Sequence, residues 1–124
     1  MVGDKFEIGS KTRREVLGDA HVDAATARAT DFDAAFQTFI TETAWGSVWA
    51  RPDMDRRTRS LITISILAAL GRVGELEMHL RASRNVGVDP NEIAEALLHV
   101  AVYAGVPAAH SAFQVAKDVL EGDQ

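Results

Sequence analysis

The sequence predicts an all-α protein, a compact bundle of about six helices. Three observations support this class: apolar residues recur at helical spacing, glycine and proline divide the chain into segments of helical length, and no two segments pair convincingly as strands. The 124 residues are 47% hydrophobic and 25% charged, as in an ordinary globular domain. We therefore expect one domain, residues 1–124 with a core of about 13–120, stable without a metal or disulfide.

The first half of the chain predicts two helices. Residues 11–17 form a short basic helix that stops at a Gly18–Asp19 break. A second helix begins after Thr30 or Asp31 as its N-cap and ends at Gly46. Its apolar face carries residues at i, i+4, i+7 and i+8, namely Phe32, Phe36, Phe39 and Ile40. Residues 45–52, which include both tryptophans, are expected to form an irregular connection.

Residues 55–70 predict a long helix that stops at Gly71. Residues 62–66 alternate apolar and polar side chains, which is also typical of a strand. The apolar run continues through Leu70 without a turn residue, and an isolated strand would leave its backbone groups unpaired. Helix is therefore the better interpretation.

Three further helices are predicted after Gly71. The first covers residues 75–84 and ends near Gly87. The second runs to Tyr103 from an N-cap at Asp89, with Pro90 at the first helical position and Glu92 completing a capping box. The third spans about residues 107–120.

Residues 96–116 carry no charge and match a membrane span in length. Gly105 and Pro107 near the middle favour two buried helices that meet at a turn. Residues 61–70 and 97–102 are apolar almost all round, more than a small domain covers by itself. We expect part of this surface to be buried between subunits.

Composition excludes several classes of function. Thirteen basic and 18 acidic residues give a net charge of −5, which is unsuited to binding nucleic acid. The absence of cysteine excludes disulfides, thiolate zinc sites and thiol nucleophiles. The first ten residues lack the apolar core of a signal peptide, so the cytoplasm is the expected location.

The four histidines are the first candidates for chemistry. His79 shares a helix face with Arg72 and Glu75, at i, i+3 and i+7, but an exposed Glu75–His79 pair would be equally ordinary. His99, among apolar residues, favours a hydrogen-bonded core position. His21 favours an acid-flanked surface cap, and His110 either a helix-start hydrogen bond or a pocket group. Their spacing does not match a metal site.

The second candidate is the segment of residues 45–52. Trp45, Trp49 and Arg51 can form an aromatic-lined pocket for an anionic ligand, or a plug that packs a loop onto the core. Three arginines begin the next helix, where cations oppose the helix dipole, so at least one should have a partner acid or ligand. They are Arg56, Arg57 and Arg59.

Several stretches, in this order, resemble the γ-carboxymuconolactone decarboxylases. The resemblance runs from about Arg13 to Asp118 and is carried by residues 16–23 (VLGDAHVD), 39–41 (FIT), 44–49 (AWGSVW), 67–72 (LAALGR) and 100–109 (VAVYAGVPAA). It implies an all-α, oligomeric fold of the alkylhydroperoxidase D-like kind, a trimer or hexamer. It also implies a cofactor-free carboxy-lyase that converts 4-carboxymuconolactone to 3-oxoadipate enol-lactone and CO2 in protocatechuate catabolism, the β-ketoadipate pathway.

The redox relatives in that superfamily carry a C-x-x-C-x-x-x-H motif, which aligns here with Arg72, Glu75 and His79. The upstream glutamate of those relatives aligns at or near Ser60. Peroxidase chemistry is therefore excluded. The helix face that carries the motif in those relatives is still present here, but with other residues at the cysteine positions. No metal or other cofactor is expected.

The resemblance then suggests roles. His79 protonates the ring carbon, and Glu75 orients the His79 ring or holds its proton. Arg72, a tryptophan N–H or Tyr103 stabilises the developing oxyanion. Arg51, or failing that Arg59, anchors a substrate carboxylate, and the remaining substrate-binding candidates are Trp45, Trp49, Tyr103 and His110. The expected partners are a dicarboxylate lactone and further copies of the chain, with neither nucleic acid nor membrane. The alternatives are a non-catalytic helical oligomer that binds a small acid or a protein, and a related enzyme with another substrate.

Overall fold

The computed structural model describes residues 2–122 and is helical almost throughout. Within that range there are seven α-helices and no strand, so the predicted all-α class is confirmed. The helices are α1 Val2–Leu17, α2 Asp19–Arg28, α3 Ala34–Ile40, α4 Arg56–Leu70, α5 Val73–Ala82, α6 Pro90–Tyr103 and α7 Val106–Gly122. A π-helix, Thr41–Trp49, follows α3, and a 3₁₀ turn, Ser83–Val86, follows α5.

The chain divides into two compact units, Met1–Arg56 and Arg57–Gln124. In the first, α1 packs against the π-helix at two glycines. A Cβ on Gly9 would lie 2.0 Å from the Thr41 carbonyl oxygen, and one on Gly46 would lie 2.4 Å from the Lys5 carbonyl oxygen. The two backbones therefore approach more closely than any side chain at these positions would permit.

In the first unit, three helix predictions from the sequence are wrong. The first helix begins at Val2 rather than at residue 11, and a further helix, α2, follows Gly18. The next helix begins at Ala34, because the Thr30 hydroxyl accepts a hydrogen bond from the Phe32 N–H (3.3 Å) and closes a turn first.

Gly46 does not end that helix, and the expected irregular connection is mostly helical. The chain continues as a π-helix to Trp49. The Ser47 hydroxyl donates to the Glu42 carbonyl five residues back (3.0 Å), a spacing that matches the π-helical turn. Gly46 does not terminate the helix; it allows the π-helix to pack closely against α1.

The second unit holds a continuous apolar core. It is built from one side of each of α4 to α7, with fully buried residues that include Ile64, Leu80 and Leu97. The α4 helix ends at Leu70 as predicted, and the strand alternative is wrong. Its polar residues are accommodated within the helix, since the Thr63 and Ser65 hydroxyls donate to carbonyls four residues back, both at 2.8 Å.

Both ends of α6 agree with the prediction from the neighbouring sequence. The Asp89 carboxylate accepts from the Asn91 N–H (2.7 Å), and the Glu92 carboxylate accepts from the Asp89 N–H (3.0 Å), which completes the predicted capping box. Gly105 then separates α6 from α7 with a φ of 115°, a backbone conformation that favours glycine. Among the helices described, none has the length and apolarity needed to cross a membrane.

Candidate functional site

The three residues predicted to act together lie on helix α5 and at its start: Arg72 at the N-cap, and Glu75 and His79 within the helix. Arg72 is the N-cap residue, where its N–H donates to the Leu67 carbonyl and its own carbonyl accepts from the Leu76 N–H, both at 2.9 Å. These backbone bonds fix the start of the helix and leave the side chain exposed. Glu75 follows in the first turn and is also exposed.

His79 lies one helical turn after Glu75 and is buried, with 7% of its surface exposed. Its neighbours on the same side of the helix, Leu76 and Leu80, belong to the apolar core. Its Nδ1 atom is shielded from solvent. All four histidines lie within the described residues, and only His79 is buried. A titratable ring held at the edge of a core is a candidate for proton transfer.

The structure places His99 differently from the prediction. The residue is exposed on α6 rather than in the core, because the apolar residues around it occupy more than one face of the helix. Its ring stacks on Tyr103 with centroids 6.3 Å apart. Tyr103 itself is 85% exposed at the end of α6.

A cavity of about 440 Å³ lies between α6 and α7. Its wall is mainly apolar, and exposed His110 contributes to it together with Gln114 and Lys117. The other predicted site residues of this unit do not line it; they are Arg59, Arg72, Glu75, His79 and Tyr103.

Two of the three arginines at the start of α4, Arg56 and Arg57, have acidic partners, as was predicted for at least one of the three. The Arg57 side chain forms a two-point ion pair with Glu92, including an Nε–Oε1 hydrogen bond of 3.2 Å. Arg56 pairs with Glu15 at 3.1 Å. Arg59, one turn into the helix, is partly buried and its Nε atom is shielded from solvent.

In the first unit, Trp45 and Trp49 are buried side by side in the π-helix. Their ring centroids are 5.0 Å apart and their planes are inclined by 32°. Arg51 is exposed beyond the helix and pairs with Asp53 at 2.8 Å. This geometry favours the packing alternative for the tryptophans, since aromatic rings at this separation stabilise one another. A role for these residues in substrate binding stays a prediction.

His21 lies within α2, partly buried, rather than in a surface cap. Burial and, to a smaller extent, the positive charges of Arg13 and Arg28 lower the pKa of His21 below its ordinary value. This cluster of basic side chains, His21 with Arg13 and Arg28, was not predicted from the sequence. The adjacent arginines at positions 13 and 14 were the available signal.

The described residues contain no group of three or more histidine, aspartate or glutamate side chains arranged to hold a metal ion. The predicted site residues of the second unit include one buried imidazole, an exposed carboxylate one helical turn before it, and guanidinium groups on α4 and at the start of α5.

The comparisons with known proteins agree with the predicted all-α class. Residues 34–118 match the carboxymuconolactone decarboxylase family. The chain belongs to this family.

Two named relatives align with nearly the whole chain, and a third aligns with about a third of it. A 4-carboxymuconolactone decarboxylase of Acinetobacter baylyi is 47% identical over 117 residues, which cover 94% of this chain and 87% of the relative. A nitrosuccinic acid decarboxylase of Metarhizium robertsii is 43% identical over 115 residues, 93% of this chain and 80% of the relative. A 4-carboxymuconolactone decarboxylase of Pseudomonas putida is 45% identical over 42 residues, 34% of this chain and 88% of the relative.

Proposed function

We propose that the protein is a carboxy-lyase that converts 4-carboxymuconolactone to 3-oxoadipate enol-lactone and CO2, in protocatechuate catabolism. The observation that carries this proposal is the 47% identity to a 4-carboxymuconolactone decarboxylase over 94% of the chain. A similarity of that extent includes both compact units and all the candidate residues named above.

The substrate itself accepts the electron pair. Its departing carboxylate is attached to a ring carbon that is conjugated through a C=C bond to the lactone carbonyl. When the C–C bond to the carboxylate breaks, CO2 leaves and the electron pair moves through the double bond to the carbonyl oxygen as a dienolate. A proton then adds to the ring carbon next to the carbonyl, which gives the enol-lactone. The protein therefore has to bind the substrate, stabilise the negative charge on the carbonyl oxygen and supply one proton to the ring carbon.

His79 is the proposed proton donor. It is the one buried histidine of the four, and an imidazole can carry and release a proton near neutral pH. Glu75, one turn away on α5, is proposed to orient the ring or to hold its proton. Arg72, at the start of the same helix, is proposed to stabilise the oxyanion.

A guanidinium group is proposed to anchor the carboxylate that the substrate retains, because its two parallel N–H groups match a carboxylate. The two candidates differ in exposure. The Arg51 side chain is 60% exposed, whereas Arg59 is partly buried on α4 and its Nε atom is shielded from solvent. These facts favour Arg59. The proposed contacts of Trp45, Trp49, Tyr103 and His110 with the substrate are secondary to this anchor.

The test is turnover by the purified protein. The lactone is generated in situ by the cycloisomerase that catalyses the preceding step, and the release of CO2 is measured. CO2 released in proportion to added protein is the expected result. A non-catalytic oligomer that binds a small acid would give binding without CO2, which would contradict the proposal.

Nitrosuccinic acid is the second substrate to test, because a decarboxylase of that acid is 43% identical over 93% of the chain. We expect the lactone to have the higher kcat/KM. If nitrosuccinic acid is turned over and the lactone is not, the carboxy-lyase class stands and the proposed substrate is wrong.

We also propose that the chain forms a homo-oligomer, a trimer or hexamer. The support is the large apolar surface left exposed on α4 and α6, which includes Ile66 (52% exposed), Leu70 (63%) and Val102 (75%). Exposed apolar surface of this kind is typical of faces that are buried between subunits.

A further inference from the structure

The first unit contains a cavity that the proposed decarboxylation does not use. It has a volume of about 300 Å³ and is formed by residues of α1, α2 and α3 with the start of the π-helix. Phe6 and Val22 give it an apolar part, and Ser10 and Thr38 bring hydroxyl groups. Its size matches the lower end of the range for small-molecule sites.

Two adjacent arginines line this cavity, and they differ in how their charge is balanced. Arg14 pairs with Asp19 at 3.1 Å and with Asp23 at 2.9 Å. Its hydrogen bonds to these two carboxylates raise the pKa of Arg14 above the ordinary value. The charge of this side chain is therefore already compensated within the fold.

Arg13 has no such compensation among the described residues. Its side chain is partly buried, its Nε atom is shielded from solvent, and that nitrogen makes no hydrogen bond. Burial and, to a smaller extent, the neighbouring charge of Arg14 lower the pKa of Arg13. A partly buried cation without a partner costs free energy, which an anion in the adjacent cavity would offset.

We propose that this cavity binds a small organic acid, with the Arg13 guanidinium as the partner of its carboxylate. One uncompensated positive charge matches one carboxylate. The hydroxyls of Ser10 and Thr38, which bond to no other described residue, can donate to the same group, and Phe6 and Val22 contact the hydrocarbon part. This proposal is independent of the proposed decarboxylation, because none of the residues assigned to that reaction lines the cavity.

The probe for this site is benzoate, a single carboxylate on a small apolar body, and benzamide is its neutral counterpart of the same shape. Titration calorimetry of the full chain should show saturable benzoate binding and much weaker benzamide binding. Inorganic phosphate should compete poorly. Equal binding of benzoate and benzamide, displacement by phosphate at equal concentration, or no saturable benzoate binding would each overturn the proposal.

Two arginine variants locate the site. R13Q should weaken benzoate binding by about tenfold or more, because it removes a charge-assisted hydrogen bond. R28Q removes an exposed arginine outside the cavity lining and should leave the affinity within about threefold, which is less than the loss of one such bond. We expect R13Q to fold, since it replaces a partly buried cation without a carboxylate partner by a neutral side chain. Benzoate binding that survives R13Q would place the ligand elsewhere and overturn the proposal.

The imidazole of His21 supplies an independent readout by NMR. Because the positive charge of Arg13 helps to lower the pKa of His21, a bound anion beside Arg13 should raise that pKa. In R13Q the pKa of His21 should already be higher, and benzoate should no longer change it. If saturating benzoate leaves the titration of His21 unchanged in the natural sequence, the ligand does not bind beside Arg13.

Discussion

Burial separates His79 from the other three histidines, and the proposed proton transfer depends on that difference. We predict that H79A lowers kcat for the lactone by roughly 10²–10⁴-fold, the usual contribution of a positioned acid or base. H99A changes an exposed histidine on α6 and should keep the original kcat. Steady-state kinetics with thermal unfolding of each variant checks this. A loss in H79A below severalfold would remove His79 from the role.

The titration of His21 predicts an effect on stability. The pKa of His21 is lowered in the folded chain, so below about pH 6.5 the unfolded chain binds a proton on this residue more readily. The free energy of unfolding should therefore fall as the pH drops below that value and recover as it rises. H21Q should lose less stability than the natural sequence between about pH 7 and pH 5, measured by urea unfolding. An unchanged pH dependence in H21Q would contradict the prediction.

At the scale of elements, the contact of α1 with the π-helix depends on glycine. G9A would place a methyl group 2.0 Å from the Thr41 carbonyl oxygen, which belongs to the backbone and moves only if a helix moves. We predict a loss of about 2–3 kcal/mol or more in the free energy of unfolding. The matched control is G74A in α5, where a Cβ meets nothing within 4 Å. It should gain about 0.5–1 kcal/mol from better helix propensity. Similar results for both variants in urea unfolding would contradict this account.

The same contact shows why the sequence predicted some elements and not others. The capping box of Asp89 and Glu92 lies within four residues, so the start of α6 could be read locally. The π-helix could not be predicted from local sequence. A glycine usually marks the end of a helix, whereas Gly46 lies within one and lets the distant segment α1 approach closely. The information that distinguishes these two uses of glycine lies in α1.

The candidate site was predictable to a similar extent. Spacing placed Arg72, Glu75 and His79 on one side of a helix, and α5 has the register that this requires. Spacing could not show which of the three side chains is buried. It also misplaced His99, because in a segment that is apolar all round the periodicity does not identify the face that packs.

For the whole molecule, the exposed apolar surface is the feature that a single chain does not explain. It occurs in both units: Phe32 (98% exposed) lies in the turn before α3, Phe36 (59%) lies within α3, and Val102 (75%) lies on α6. Isolated apolar residues on a surface are ordinary, but rows of them along helices are typical of subunit interfaces. The proposed oligomer would bury these rows of exposed apolar residues, which are not part of the core of either unit.

Charged substitutions on α4 test that assembly. Ile62 (44% exposed) and Ile66 (52%) lie one turn apart on this helix, so a glutamate at each would place two charges within the proposed interface. We predict that the I62E/I66E double variant is a monomer by light scattering at micromolar concentration, with helical circular dichroism retained because neither residue belongs to the buried core. S111E adds the same kind of charge at an exposed polar position on α7 and should remain assembled. A natural sequence that is itself a monomer under these conditions would contradict the proposed oligomer. A double variant with unchanged mass would place the interface on another face.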